Sequence, residues 1–252
     1  MLSASRIFER SISNSMKLAI HQPNYLPWLG YFSKIYQADH FVFLDDCQFT
    51  KGGWQNRVKI LNANGSFLIS QPLSRPAFKM TNMITFSSLR WKQDHLKSIK
   101  ASYRRHPYFT SFYPVLEQII SHESDYLSTF NSEAIKSISS YLVLRTTFSF
   151  ASETPLESSS TVRLLELCAH YKATTYLCGS GSSNYLDITL FDDANISIQY
   201  VVAPQESYFQ PKRTAFTSGL SIIDACFSLS PKEVQLYLSK FVVSTSLPSS
   251  NG

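Results

Sequence analysis

Apolar residues recur along this chain with two alternating periods, and the alternation predicts the class of fold. "KLAIH" at 17–21 and "HFVFLDD" at 40–46 are short apolar runs that read as buried strands. Between them, "WLGYFSKIYQ" places Leu29, Phe32, Ile35 and Tyr36 on one helical face. The unit is strand, helix, strand, with a crossover long enough for a right-handed parallel pair. "RVKILNANGSFLIS" at 57–70 has two apolar segments around Asn64-Gly65, a hairpin signal expected to add antiparallel strands to the same sheet.

From Trp91 to about Leu144 the spacing turns helical, through "WKQDHLKSIKASYRRH", "YFTSFYPVLEQIIS" and "YLSTFNSEAIKSISSYL". The α/β rhythm then returns with "TTFSF", "STVRLLELCAHYK", "TTYLCG" and "ISIQYVV". Near the end, "SIID" at 221–224 and "SPKE" at 230–233 both fit a capping box, so two closing helices are expected, with Asp224 in a capping role. The predicted fold is α/β: a mostly parallel, mixed sheet flanked by helices, within a single domain over 16–242 that carries a helical insertion at about 91–144. Residues 1–15, Ser-rich with Arg6 and Arg10, are expected to be a disordered or non-native extension upstream of Met16, and 243–252 a disordered tail.

Composition narrows the functional classes. Of 252 residues, 44% are hydrophobic and 16% charged, a globular composition with an aromatic share of 14%. The formal charge of +5 is scattered and never gathers into a basic run, so nucleic-acid binding is not expected and a modest preference for anionic ligands is. Cys47, Cys168, Cys178 and Cys226 form no CxxC pair and no zinc-site spacing, and are read as reduced thiols of a cytoplasmic protein. No apolar run reaches the roughly 18 residues of a membrane span. His40, His95, His122 and His170 sit on helix faces or element ends and are expected to be structural.

In a parallel sheet, ligands bind in loops beyond the carboxyl ends of strands. Three loops hold that position: "HQPNYLPW" at 21–28, "DDCQFTKGGWQNR" at 45–57 and "GSGSSNYLD" at 179–187. Gly30, Gly52, Gly53, Gly179 and Gly181, five of the eight glycines, fall in or beside them. In the first loop, His21 stands at a strand tip before a helix whose free N–H groups suit a phosphate, with Gln22 and Asn24 as neutral donors. The alternative is a packed corner built from Pro23, Tyr25, Pro27 and Trp28. In the second, Asp45 and Asp46 can bind Mg²⁺, orient a hydroxyl or accept a proton. Lys51 and Arg57 can meet an anion, with Asn56 beside them. Taken singly, each of these side chains reads first as a turn cap or a solvated charge; taken together within thirteen residues they favour function. The third loop offers backbone N–H groups and the hydroxyls of Ser180, Ser182 and Ser183 beside Asn184, an anion cradle. It has no GK[ST] and no third glycine, so it is neither a Walker A loop nor a dinucleotide fingerprint. Tyr185 is expected to pack and Asp187 to cap the next helix. "YFQPK" at 208–212 either lines a pocket or closes the core, and Arg104 with Arg105 either steers an anion or ends a helix.

Taken together and in order, "HQPNYLPWLGYFSKI", "FVFLDDCQF" running into "TKGGWQNR", "YLCGSGSSNYLD" and "SIIDACF" resemble the WbqC-like family, bacterial proteins often encoded among genes for O-antigen and other surface polysaccharides. The resemblance runs from about Met16 to about residue 230. It marks His21, Gln22, Pro23, Tyr25, Pro27, Trp28, Gly30, Asp45, Gln48, Trp54, Asn56 and Arg57, then Gly179, Tyr185, Leu186 and Asp187, as motif positions. Where family members read like "SGPxGxxYLD", Cys178 and Ser180 stand here in place of Ser and Pro. The order of strand, Pro-containing loop with His, helix and Asp-ending strand also looks like the opening of the nucleotidylyltransferase and pantothenate-synthetase folds, a Rossmann-like likeness at fold level only.

The resemblance does not by itself fix the function; joined to the chemistry of the loops, it makes the first of two readings a transferase or ligase that uses a nucleotide-activated or phosphate-bearing substrate, with a nucleotide or nucleotide-sugar and Mg²⁺ as candidate ligands, to place an acyl or amino-acid group on a sugar of a surface polysaccharide. In that scheme His21, Asp45 and Lys51 carry the chemistry. Gln22, Asn24, Tyr25, Trp28, Gln48, Trp54, Asn56, Arg57 and the segment from Gly179 to Asp187 bind substrate. The alternative is a non-catalytic protein of a glycan-assembly complex that presents Tyr25, Trp28 and Trp54 to a sugar or partner.

Overall fold

The computed structural model describes residues 15–77, 79–155, 157–179, 181, 186–211 and 215–245. Its opening follows the predicted order: β1 (Lys17–His21), α1 (Leu29–Gln37) and β2 (His40–Phe43). A hairpin follows, β3 (Arg57–Asn62) and β4 (Gly65–Ser70), turning through Gly65 at φ +127°, where L residues are strained. The helical insertion is α2 (Trp91–Tyr103), α3 (Phe109–Ser121) and α4 (Leu127–Tyr141). Then come β5 (Thr147–Phe150), α5 (Ser160–His170), β6 (Thr175–Gly179), α6 (Ile188–Asp193), β7 (Ser197–Val202), α7 (Ile222–Ser228), α8 (Pro231–Ser239) and β8 (Val242–Ser244).

The main sheet has six strands in the order β5-β2-β1-β6-β7-β8, parallel except for β8. Counted by position this is the doubly wound order 3-2-1-4-5-6, which reverses direction between β1 and β6. Side-chain layers cover both faces. One packs Phe32 and Ile35 of α1 with Leu177 of the sheet and with α7, α8 and the helical insertion; the other packs Leu18 and Val42 of the sheet with Leu167 of α5 and Phe191 of α6. Among the described residues no helix is long and apolar enough to cross a membrane.

Three expectations need correction. The hairpin does not join the main sheet; β3 and β4 form a separate two-stranded sheet. Alternation showed that one face is buried but not against what: β5 and β8 hold the edges of the main sheet, and Val58, Ile60 and Ile69 pack instead with Ile99, Tyr103 and Phe227. The chain also stays ordered past 242, because β8 adds antiparallel to β7 with Val202 opposite Val242. Third, α1 is not a simple two-faced helix. It lies between the sheet and α7 with α8, so Tyr31, Phe32, Ser33, Lys34 and Ile35 are all buried while Tyr36 is exposed. The expected extension at 1–14 and the tail at 246–252 lie outside the described residues.

Candidate functional site

The loop after β1 is held rigid from both sides. Asn131, fully buried on α4, donates through Nδ2 to the carbonyls of Pro23 and Gln55 at 2.9 and 2.6 Å. Ser221 Oγ donates to Leu26 O at 2.7 Å, Ile222 N to Pro27 O at 2.8 Å and Tyr25 N to Trp54 O at 3.2 Å. Leu26 takes a left-handed φ of +39°, a strained conformation that these bonds fix in place. The two prolines and this backbone clamp hold His21 and Trp28 at the carboxyl end of β1, on the side where the sheet changes direction.

Two cavities open there, and His21 belongs to the wall of both. The first, about 410 Å³, lies at the β1/β6 switch and is lined by His21, Trp28, Lys34, Gly179, Gly181 and Tyr208, with Thr217 to Leu220 along one side. The second, about 670 Å³, lies towards β2 and α5 and includes Gln22, Asp46, Gln48 and Arg163. Both volumes fall in the range of small-molecule sites.

Their electrostatics are unequal. Lys34 is 4% exposed, and its amine sits 5.5 Å from the centre of the Tyr31 ring with no carboxylate paired to it among the described residues. Burial pulls its pKa down to about 8, opposed by the field of Cys178. His21 is pushed down to about 3, first by burial and then by the Lys34 charge, against the hydrogen bond to Gln22 O. The imidazole is therefore neutral at pH 7. Because Nδ1 donates to that carbonyl at 3.0 Å, the lone pair is left on Nε2. Among the described residues that line the first cavity, the cation is thus Lys34, not His21.

Behind the first cavity, Tyr208 donates to Asp224 Oδ2 at 2.5 Å, and Gln210 Nε2 donates to the same oxygen at 3.1 Å. The same Nε2 also donates to Thr217 O at 2.9 Å, and Gln210 Oε1 accepts from the Thr217 N–H at 2.8 Å. Asp224 is fully buried; burial raises its pKa, and the bonds from Tyr208, Tyr103 and Gln210 oppose the rise. This corrects its expected capping role. The Ser221 N–H that a capping box would return to Asp224 goes to Lys59 O at 2.9 Å, so only the Ser221 hydroxyl caps α7. At α8 the box forms as expected between Ser230 and Glu233.

The remaining expected site residues are dispersed. Asn24 is buried and Tyr25 fully buried, its hydroxyl 2.8 Å from His95 Nδ1, and neither lines either of these two cavities. Asp45 accepts from Ser152 N at 3.0 Å and Ser152 Oγ at 2.7 Å; it too lines neither. Lys51 is exposed on the turn, away from both cavities. Arg57 donates to the carbonyls of Gly52 and Gly53 and lies over the Trp54 ring at 5.5 Å, while Asn56 donates to Gln71 O at 2.9 Å. Trp54, 37% exposed, meets Trp28 edge-on at 6.4 Å without lining the first cavity. Gly179 and Gly181 line that cavity, and Asp187 caps α6 by accepting from Thr189 N at 3.1 Å. Ser180, Ser182, Ser183, Asn184 and Tyr185 lie outside the described residues.

The Asp45 and Asp46 pair does not fit a Mg²⁺ ion. Asp45 is occupied by Ser152 and Asp46 is ion-paired with Arg163, and among the described residues no three His, Cys, Asp or Glu side chains converge. Sequence reasoning passed over Lys34 and Arg163, and named Tyr208 only within the segment 208–212 that could line a pocket or close the core. A lysine as the one charge in "LGYFSKIYQ" was the available signal for the first; Arg163 depends on long-range packing and left none.

Comparison with known proteins places this geometry in a lineage. The profile of the WbqC-like protein family matches residues 22–236. The chain is 29% identical over 216 residues to a Mycobacterium tuberculosis protein named "Uncharacterized protein Rv1507c", covering 84% of this chain and 94% of the relative. No solved structure matches.

Proposed function

The chain belongs to the WbqC-like protein family, and from that premise we propose that it is a transferase or ligase whose first cavity binds the phosphate-bearing donor, a nucleotide or nucleotide-activated compound. One observation carries the proposal: a buried lysine with no carboxylate paired to it among the described residues stands at the switch point of a doubly wound sheet, in one cavity with Gly179 and Gly181. Burying an amine without a counter-charge costs stability, and an anionic ligand removes that cost.

The chemistry follows from the charges. The donor's phosphate lies against Lys34, and its glycine-flanked side meets backbone rather than side chains. An acceptor hydroxyl or amine attacks the donor's activated carbon. A bond forms from the acceptor atom to that carbon, the bond from carbon to phosphate oxygen breaks, and the electron pair leaves on a phosphate that Lys34 neutralises. The acceptor's proton passes to Nε2 of His21, the nitrogen left without a proton. An imidazole held near pKa 3 is a weak base, but the incoming phosphate offsets the Lys34 field that depresses it. Binding of the donor therefore raises the basicity of His21 at the moment it is used. Surface-polysaccharide synthesis, with an acyl or amino-acid group as the transferred unit, is the setting that best suits the family.

Thermal unfolding against a panel of nucleotides and nucleotide-sugars, with and without Mg²⁺, tests this. A ligand at about 100 times its dissociation constant stabilises the fold by about 2.7 kcal/mol. A shift in wild type that disappears in Lys34→Met supports the proposal; an equal shift in both removes Lys34 from the donor site.

A further inference from the structure

The second cavity has a different chemistry from the first, and its ligand class can be read from the difference. Its floor is apolar, made of Ile20, Leu44, Leu164 and Tyr176. Around that floor stand groups of both hydrogen-bonding senses: the amides of Gln22 and Gln48 and the hydroxyls of Ser159 and Ser160. Its one guanidinium, Arg163, is neutralised by Asp46 and also donates to Ala151 O at 3.2 Å. Asp46 Oδ1 has no hydrogen-bond partner among the described residues, and Glu157 adds a second carboxylate to the rim. Two carboxylates against one already paired cation repel a phosphate, so this is not a second donor site.

A neutral polyhydroxylated ligand matches these features. Its C–H faces suit the apolar floor, and each hydroxyl can donate to an amide oxygen of Gln22 or Gln48 or to the Glu157 carboxylate, or accept from an amide nitrogen. We propose that the second cavity is a sugar-binding subsite, which places the acceptor on the opposite side of His21 from the donor. The inference rests on the donor assignment above only for the word acceptor; sugar binding itself is independent of it. The volume of about 670 Å³ leaves room for a sugar together with an attached chain or further unit.

Saturation-transfer difference NMR on the full chain tests this with methyl glycosides of glucose, galactose and mannose, N-acetylglucosamine and glucosamine as probes. Ser159 is exposed on the rim, so Ser159→Trp fills the cavity without disturbing the core. Gln48→Ala, also exposed, removes one amide. The expected result is saturation transfer to at least one probe in wild type and in Lys34→Met, a several-fold loss in Gln48→Ala, and abolition in Ser159→Trp. Transfer that survives Ser159→Trp, or no transfer to any probe, overturns the proposal. Sugar binding without any nucleotide-induced stabilisation leaves the sugar subsite standing and removes the donor assignment, so the two failures are told apart.

Discussion

The loops that follow β1 and β2 leave the sheet from paired strands, His21 opposite Phe43, and they use their polar side chains in contrary ways. In the second loop nearly every charged or amide group is committed to protein: Asp45 to Ser152, Asn56 to Gln71, Arg57 to Gly52 and Gly53, Gln55 to Thr50 and Thr81. In the first loop the holding is done by backbone carbonyls, at Pro23, Leu26 and Pro27, and by side chains that come from elsewhere. That division leaves His21 and Trp28 on a cavity wall. Where distant residues fix the backbone, a loop's own side chains are left to a cavity wall; where they must do the fixing, most become scaffold, and of the second loop only Asp46, Cys47 and Gln48 reach the second cavity.

Substitutions can break this comparison at either loop, and their expected effects fall in a definite order. Asn131→Leu comes first, since it strips two buried carbonyls, one in each loop region, of their donor. Leaving each unsatisfied costs about 1–3 kcal/mol, so denaturant unfolding should show a loss of about 3–5 kcal/mol together with weakened nucleotide stabilisation.

Lys34→Met should act in the opposite direction on stability. The fall of the amine from its ordinary 10.5 to about 8 corresponds to about 3 kcal/mol against the folded state at neutral pH, so removing the charge should stabilise by about 1–3 kcal/mol while abolishing donor binding. Between pH 8 and 10.5 the unfolded chain holds this proton and the native chain does not, so wild-type stability should rise with pH relative to the variant across that window. Parallel denaturation series at several pH values measure the difference.

Asp45→Ala should cost about 1–3 kcal/mol through its lost bonds to Ser152, with the nucleotide shift unchanged. Smallest of all, Lys51→Ala should change stability by no more than about 0.5 kcal/mol and leave ligand binding intact, which calorimetric titration would check.

Periodicity was enough to place β1, α1 and β2, the Asn64-Gly65 hairpin, three helices between Trp91 and Tyr141, and the Ser230 cap, because each is specified by neighbours within a few positions. What it could not place was partnership over distance. Lys34 on an amphipathic-looking helix reads as a solvent-facing charge, and only the packing of α7 and α8 against α1 buries it. Asp224 four residues into a Ser-initiated helix reads as a cap residue, and only the return of Tyr208 and Gln210 reveals a buried carboxylate cluster. Asp45 and Arg57 looked chemical because their types are, yet the acceptors and donors that claim them lie at Ser152 and at the Gly52–Gly53 turn.

The contrast between the two loops can be tested with two lysines in one sample. Acetylation of the intact protein, followed by mass spectrometry of the Lys34 and Lys51 peptides, compares the buried amine at the first cavity with the exposed amine of the second loop in the absence and presence of inorganic pyrophosphate and of each nucleotide. The predicted result is protection of Lys34 by at least one of these ligands with no change at Lys51. Protection of Lys51 with Lys34 unaffected would move the anion site to the second loop and contradict the account.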